Sequence, residues 1–586
     1  MQKKTYFSIG DVANSFVLAS QRVLHNYLKN VSGYHHDVRD ISSTYSDLVT
    51  KIMVHPSDVV KIFNCNLDFL VTQQALWRQI FISPSSEFFI NTIEPQKGDK
   101  RFSDPEWMTN PYFNFLKQNY LFYSTVIKKV MDEIKIDDKI KKKLNFYTGQ
   151  YVNAFSPTNF IFTNPEVLKL AIETNGNSLF EGLNNLVQDL GKGRVTQTDE
   201  NAFSVGKNLA ITPGFVIYQN QLIQLIQYSP ITKSIYELPL LIIPPWINKF
   251  YILDLQQSNS FVKFLVENGI TVFMISWRNP KQGVSNFSLD DYVSKGALKA
   301  IEVIQEVCHV NKINTLGYCL GGTLLSIACA ILAKNKNANP ICSASFLASM
   351  IDFTDIGPMG DVIDGALIRK LERGELLHHG VLNGHDMETA FNLIRPNDLI
   401  WKYVIHNYLM GKKPSVFDVI YWTNDNTNLP ADMYVYYMKQ IILENRLSRK
   451  NALKISNTAI DINEINFPVF VIGLKDDNIS PAITTFTTTE LVNGDVEFIL
   501  GESGHVMGAL NPPANNKYGY YINGKLGDGF EVWKSSSQYI KGSWWPYWRD
   551  KLISFSGEEV TAPVDAGNSN YKVVESAPGS YVKEKC

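Results

Sequence analysis

Three side chains, far apart in the chain, have the types and order needed for acyl transfer. The hexapeptide Gly317-Tyr318-Cys319-Leu320-Gly321-Gly322 lies where the apolar run INTLGYC (313–319) meets the helix-like TLLSIACA. It is a G-x-nucleophile-x-G elbow with cysteine in place of serine. Glycines suit a strained strand-to-helix turn, where bulkier neighbours would clash. The helix that follows presents free N–H groups and its positive end, which favour a thiolate. The backbone N–H of Leu320 is one expected oxyanion donor. Most free cysteines are ordinary buried thiols, so the hexapeptide alone decides nothing. The chain downstream supplies candidate partners in the order an elbow requires. Lys475-Asp476-Asp477-Asn478 follows the apolar run FPVFVIGL (467–474), and Gly504-His505 follows VEFILGES (496–503). In this reading His505 takes the thiol proton and later activates an attacking hydroxyl, while Asp477 holds the imidazole tautomer. Taken singly, Asp476 and Asp477 also suit a turn, and His505 suits a hydrogen-bonded loop. The three residue types in the right order, each at a strand end, favour the catalytic reading.

The loop after LPLLIIPP (238–245) opens Trp246-Ile247-Asn248-Lys249. In an elbow architecture this loop gives the second oxyanion N–H; Ile247 is the candidate donor, and the sequence does not choose between it and its neighbours. Asp254 is a candidate helix cap. His378, His379 and His385 read as solvated loop positions. The six cysteines (65, 308, 319, 329, 342, 586) include no CxxC pair. Neither a disulfide framework nor a zinc site is expected.

These residues need a rigid scaffold. LPLLIIPP, TVFMISW (271–277), INTLGYC, CSASFLASMID (342–352), FPVFVIGL and VEFILGES read as buried strands. Helix-like stretches alternate with them, among them Asp291 to Val307 and Gly322 to Lys334. The alternation predicts a mostly parallel sheet covered on both faces, an α/β-hydrolase fold. Phe215 to Tyr228 reads as a hairpin. The first 200 residues read as a helical domain, with helices over Val59 to Ile82 and Tyr112 to Ile136. The polar stretch GKGRVTQTDENAF (191–203) marks its boundary with a catalytic domain over 201–586. Asp352 and Phe467 are too far apart for an ordinary connection. The interval is rich in aromatics, so 353–466 is expected to form an inserted cap or lid over the strand ends. Residues 555–586 are polar and turn-rich and read as a surface-hugging tail.

Composition excludes several classes. A net charge of -2 with scattered Lys and Arg argues against nucleic acid as a partner. No apolar run reaches the roughly 18 residues a membrane span needs, and no secretory signal is evident. A cytoplasmic protein is expected.

The chain resembles the polyhydroxyalkanoate synthases, most closely the long single-polypeptide class I type. The resemblance runs from about Arg101 to the end and rests on specific segments. These are RFSDPEW (101–107), PPWINKFYILDL (244–255), SWRNP (276–280), GYCLGG (317–322), RPNDLIW (395–401), GHVMGALNPP (504–513), GSWWPYW (542–548) and APGSYVK (577–583). It implies Cys319 as nucleophile, Asp477 rather than Asp476 as the acid, and His505 as the base. It also implies an acyltransferase that polymerises (R)-3-hydroxyacyl-CoA into polyester with release of CoA. Short-chain substrates such as 3-hydroxybutyryl-CoA are expected. The implied setting is the polymer granule surface, with the growing polyester and granule-associated proteins as partners and a homodimer as the assembly. The CoA thioester is itself the substrate, so no cofactor or metal is expected. Met433 stands where some members carry tryptophan, which bears on side-chain preference. A thioesterase or esterase of the same fold is the rival reading, and a catalytically dead granule or scaffold protein is a third.

Overall fold

The computed structural model describes residues 71, 74 and 93–586, apart from 135, 282–285, 336 and 337. The helix expected over Val59 to Ile82 lies outside these, residues 71 and 74 aside. The described chain divides into two compact units. One holds the described residues up to Asp199 together with Thr389–Val416. The other holds Glu200–Glu388 and Phe417–Cys586.

The first unit is helical. α1 (Pro111–Glu133), α2 (Asp138–Ala154), α3 (Pro165–Glu173) and α4 (Asn177–Lys192) are its main elements. The asparagines Asn110 and Asn164 accept N–H groups at the starts of α1 and α3, each just before a proline at the first helical position. α1 falls where the sequence predicts it. Tyr147, Val167, Leu179 and Leu186 form a core with Trp401, Val404, Tyr408 and Leu409. That packing explains why the stretch 353–466, expected to be one inserted subdomain, is shared between the units. Within it, Thr389–Val416 buries its apolar side chains against α2–α4 and joins that unit despite the distance in sequence.

The second unit is built on an eleven-stranded sheet. Its strands are β1 (Gly214–Gln219), β2 (Ile223–Tyr228), β3 (Leu240–Ile243), β4 (Val272–Trp277), β5 (Ile313–Tyr318), β6 (Ile341–Leu347), β7 (Val469–Leu474), β8 (Val496–Gly501), β9 (Tyr520–Ile522), β10 (Gln538–Ile540) and β11 (Glu575–Ser576). Their spatial order is β10-β9-β8-β7-β6-β5-β3-β4-β2-β1-β11. The run from β4 through β3, β5, β6 and β7 to β8 is parallel. The outer pairings are antiparallel. This is the α/β-hydrolase architecture. Every residue of β3, β4, β5 and β7 is buried, as strands covered on both faces must be. Covering helices include α5 (Phe261–Glu267), α6 (Lys299–Cys308), α7 (Leu320–Ala333), α8 (Asp418–Asn424) and α9 (Trp545–Ile553).

Register places the chemistry. Ile243 pairs with Gly317, Tyr318 with Leu347, and Leu474 with Gly501. The loops after β3, β5, β7 and β8 therefore leave the sheet at one edge, beyond the carboxyl ends of parallel strands. The segment 555–586 is more than a tail lying on the surface. Glu559–Thr561 pairs with Ser234–Tyr236, β11 extends the main sheet beside β1, and Tyr581 and Val582 are buried. Among the described residues, no helix is long and apolar enough to cross a membrane.

Candidate active site

The elbow is formed by close backbone approach. Cys319 sits between β5 and α7 with φ 53° and ψ −124°, a conformation that L-residues adopt at a cost of order 1–3 kcal/mol. Its N–H donates to Leu347 O at 2.9 Å, and its carbonyl accepts Gly322 N–H at 2.9 Å. The glycines leave no room for a side chain. A Cβ on Gly321 would lie 2.0 Å from the Ile243 carbonyl oxygen, and one on Gly322 would lie 2.0 Å from Ser349 Oγ. A Cβ on Gly317 would lie 2.3 Å from the Gly322 Cα. These contacts hold Cys319 at the strand end, where it is 7% exposed. Leu320 opens α7, so its N–H has no acceptor within the helix. Ile247 is half-buried in the bend after β3.

The structure brings Asp477 and His505 to this cysteine. Asp477 Oδ1 accepts the backbone N–H groups of Ile479 and Ser480, each at 2.8 Å. Its Oδ2 accepts from His505 Nδ1 at 2.7 Å. With Nδ1 committed to the carboxylate, Nε2 is left for Cys319, whose sulfur lies near enough to raise the imidazole's affinity for a proton. Asp476 is exposed. Tyr318 stacks on the imidazole with ring centroids 5.5 Å apart, and its hydroxyl donates to the His505 carbonyl at 3.3 Å. The glycines of the elbow were legible as marks of a tight turn; the Tyr318 stacking was not, because nothing in a hexapeptide says where its second residue points.

Burial alone would lower the affinity of His505 for a proton. The Asp477 carboxylate and the Cys319 sulfur outweigh it, and hold the imidazole well above the usual histidine range. A raised folded-state pKa stabilises the fold fully below the unfolded value of about 6.5. That contribution is lost as pH rises through the folded pKa. The expected result is that His505→Gln loses more thermal stability, relative to the parent protein, at about pH 6 than at about pH 9. Melting curves across this range check it, and a pH-independent difference would contradict the assigned environment.

Tyr437 lies near the sulfur and gathers other aromatic rings. Tyr437 is buried, and its hydroxyl is held well above the usual phenol range by burial and then by the neighbouring Cys319 sulfur. Its ring meets Trp246 edge-on at 5.6 Å and Phe353 at 6.3 Å. The sequence placed Tyr437 in an aromatic-rich interval but gave no sign that this ring, among so many, lies by the sulfur. The other thiols differ in setting. Burial pushes Cys308 up to about 12 and raises Cys329 further, which keeps both as neutral thiols.

Asp254 is not a helix cap. It is buried and accepts the hydroxyls of Thr212 at 2.5 Å and Ser260 at 2.6 Å, and burial raises its pKa. Ser260 caps α5 instead, accepting Lys263 N–H at 2.9 Å. His378 and His385 are exposed, each 3.4 Å from a carboxylate, of Asp386 and Glu388 respectively. His379 is exposed as well. Among the described residues no group of three or more His, Cys, Asp or Glu side chains is arranged to hold a metal ion.

Residues 98–265 match the family model described as the poly-beta-hydroxybutyrate polymerase (PhaC) N-terminus. The chain is 39% identical over 491 residues to the poly(3-hydroxyalkanoate) polymerase subunit PhaC of Cupriavidus necator, covering 83% of each chain. It is 38% identical over 517 residues to the poly(3-hydroxyalkanoate) polymerase of Methylorubrum extorquens, covering 87% of this chain and 85% of that one. Poly(3-hydroxyalkanoate) polymerase 2 of Ectopseudomonas oleovorans is 35% identical, with 84% and 87% covered. Similar solved structures include a monoacylglycerol lipase from Paleococcus ferrophilus, with 13% identity, a TM-score of 0.32, and 57% of this chain and 99% of that one covered. An esterase from Exiguobacterium antarcticum is 15% identical, with a TM-score of 0.30 and coverage of 50% and 92%.

Proposed function

The chain belongs to the poly(3-hydroxyalkanoate) polymerase family, and on that premise we propose that it joins (R)-3-hydroxyacyl groups from CoA into polyester through a thioester on Cys319. The observation that carries the reading is the cysteine in a strained elbow, beside an imidazole that Asp477 holds at 2.7 Å.

Each step follows from this chain's own groups. His505 takes the Cys319 proton, and the thiolate attacks the carbonyl carbon of the acyl-CoA. The oxyanion faces the N–H of Leu320 at the positive end of α7, with Ile247 as the second donor. The C–S bond to CoA breaks, and the CoA sulfur leaves with the proton from His505. The acyl group is now on Cys319 as a thioester, still activated. A 3-hydroxyl then attacks it, His505 accepts the hydroxyl proton, an ester forms, and the Cys319 sulfur is released. Asp477 keeps Nδ1 protonated and stabilises the imidazolium throughout. Water must be kept from the thioester. Tyr437, Trp246 and Phe353 form an apolar wall suited to that task. A granule surface is the proposed setting, with a homodimer as the working assembly. Exposed apolar side chains of the first unit, among them Phe162 and Ile172, support the granule reading.

The test is incubation with (R)-3-hydroxybutyryl-CoA, with released CoA and solvent-extractable polyester measured in one sample. Polymer in proportion to CoA is the expected result. Free hydroxy acid as the sole product would make the protein a thioesterase. Short chains should be preferred. Trp246, Tyr318 and Leu320 crowd the elbow and its facing loop, and each methylene in an apolar pocket is worth about 1–3 kcal/mol. The expected order of kcat/KM is four-carbon, then five-carbon, then eight-carbon (R)-3-hydroxyacyl-CoA. An eight-carbon substrate used best would overturn the chain-length assignment and leave the site chemistry untouched.

A further inference from the structure

Two residues beyond Ile247 the chain turns a charge inward. The Lys249 ammonium is 2.8 Å from Asp425 Oδ1, with side-chain exposures of 5% and 3%. The same ammonium donates to the Glu584 carbonyl at 2.8 Å. Tyr251 donates its hydroxyl to Asp425 Oδ2 at 2.9 Å, and Lys585 Nζ donates to Oδ1 at 2.6 Å. The Lys249 carbonyl accepts the Trp422 indole N–H at 2.7 Å, and Asn248 forms a backbone bridge with Asn426. Three segments distant in the sequence thus converge on one buried carboxylate. They are the loop after β3, the residues at and just beyond the end of α8, and residues 584–586. The last of these is tied down further. Arg278 lies over the Tyr581 ring at 4.9 Å and is 3.6 Å from the Glu584 carboxylate, and the Cys586 thiol donates to the Asn426 carbonyl at 2.9 Å.

A buried ion pair adds little net stability compared with well-packed apolar side chains, because desolvation offsets the attraction. What it does supply is geometry. Charge-assisted hydrogen bonds are short and directional, and this cluster holds both sides of the Lys249 backbone: Asn248 through its bridge, Lys249 through its ammonium and its carbonyl. An oxyanion donor is effective only when it is preorganised at the position the developing charge will occupy. We propose that Asp425 is a positioning residue that, with Lys249, Tyr251 and Lys585, fixes the 246–248 loop so that Ile247 presents its N–H to the oxyanion. Residues 581–586 are the latch that closes this arrangement. The proposal rests on the thioester reading of the same site.

The test compares Asp425→Asn, Lys585→Met and Lys585→Arg in the full chain. It measures kcat and KM for CoA release, the rate at which iodoacetamide alkylates Cys319, and thermal unfolding. Alkylation needs the thiolate that His505 and Asp477 support but no oxyanion donor. Lys585 is 62% exposed, so its replacement leaves the fold intact even if Asp425→Asn destabilises the protein. The expected result is a fall in kcat of roughly tenfold for Lys585→Met and on the order of 10²-fold for Asp425→Asn, the scale of a misplaced oxyanion donor. KM and alkylation should stay near the parent values, and Lys585→Arg should recover most of the rate. Unchanged kcat in folded Lys585→Met and Asp425→Asn, or alkylation falling in step with kcat, would overturn the proposal. Turnover retained by Cys319→Ala in the same assay would instead overturn the thioester reading beneath it.

Discussion

Cys319→Ala should abolish CoA release while leaving the fold intact. In the proposed mechanism the covalent step belongs to the cysteine at the strand-end elbow, and the buried thiols of Cys308 and Cys329, which burial keeps neutral, do not replace it. The alanine methyl fills less space than the sulfur-bearing side chain and leaves the φ of 53° as the strained turn requires. Far-ultraviolet circular dichroism and the melting curve should therefore be close to those of the parent. Cys319→Ser should be severely impaired and not silent, since an alkoxide is far harder to generate than a thiolate. Near-normal CoA release by the alanine variant would remove the nucleophile from the account, and the elbow would be an ordinary structural turn.

The second large effect is expected at His505. His505→Gln keeps a side chain of similar reach but removes the proton acceptor, and should cost at least ~10²-fold in kcat, the usual scale for a positioned base. In the proposed mechanism both half-reactions use the imidazole, so acylation and chain transfer should slow together in single-turnover measurements. Asp477→Asn should also be damaging, because an amide at 2.7 Å from Nδ1 favours the wrong tautomer. Asp476→Asn should be nearly silent, since that side chain is exposed. The opposite pattern, a silent Asp477→Asn beside a damaging Asp476→Asn, would reverse the choice between the two carboxylates.

The candidate site was legible where chemistry and strand ends coincide. Cys319, Asp477 and His505 each follow an apolar run of strand length, and the parallel register then obliges those ends to meet at one edge of the sheet. The central strands were legible for the same reason: strands buried on both faces have no polar alternation to hide them. What stayed hidden depends on contacts between residues far apart in sequence. The Lys249–Asp425 pair spans 176 positions, and neither residue carries a local signature of burial. β11 is two residues long, too short for any periodic signal, yet it extends the main sheet. The helix expected from Asp291 to Val307 is helical throughout but not uniform. Tyr292–Leu298 is wound as a π-helix, and Gly296 in it faces Trp277 so closely that a Cβ would lie 2.8 Å from the indole. Sequence periodicity gives the helix but not this local widening. The interval 353–466 reads in the sequence as one insertion. Its sharing between two units does not show there, since the apolar side chains of Trp401, Tyr408 and Leu409 say that they are buried but not against what.

The central claim is that an acyl group rests on Cys319 between CoA release and ester formation. The most direct test is a single-turnover reaction with (R)-3-hydroxybutyryl-CoA, quenched in acid and digested, with the peptide carrying Cys319 weighed by mass spectrometry. The expected result is a mass increase of one or more 3-hydroxybutyryl units on that peptide, removed by neutral hydroxylamine as a thioester is, and absent from Cys319→Ala. Polyester formed at the full rate with Cys319 unmodified at every quench time, or with the acyl group on another residue, would contradict it.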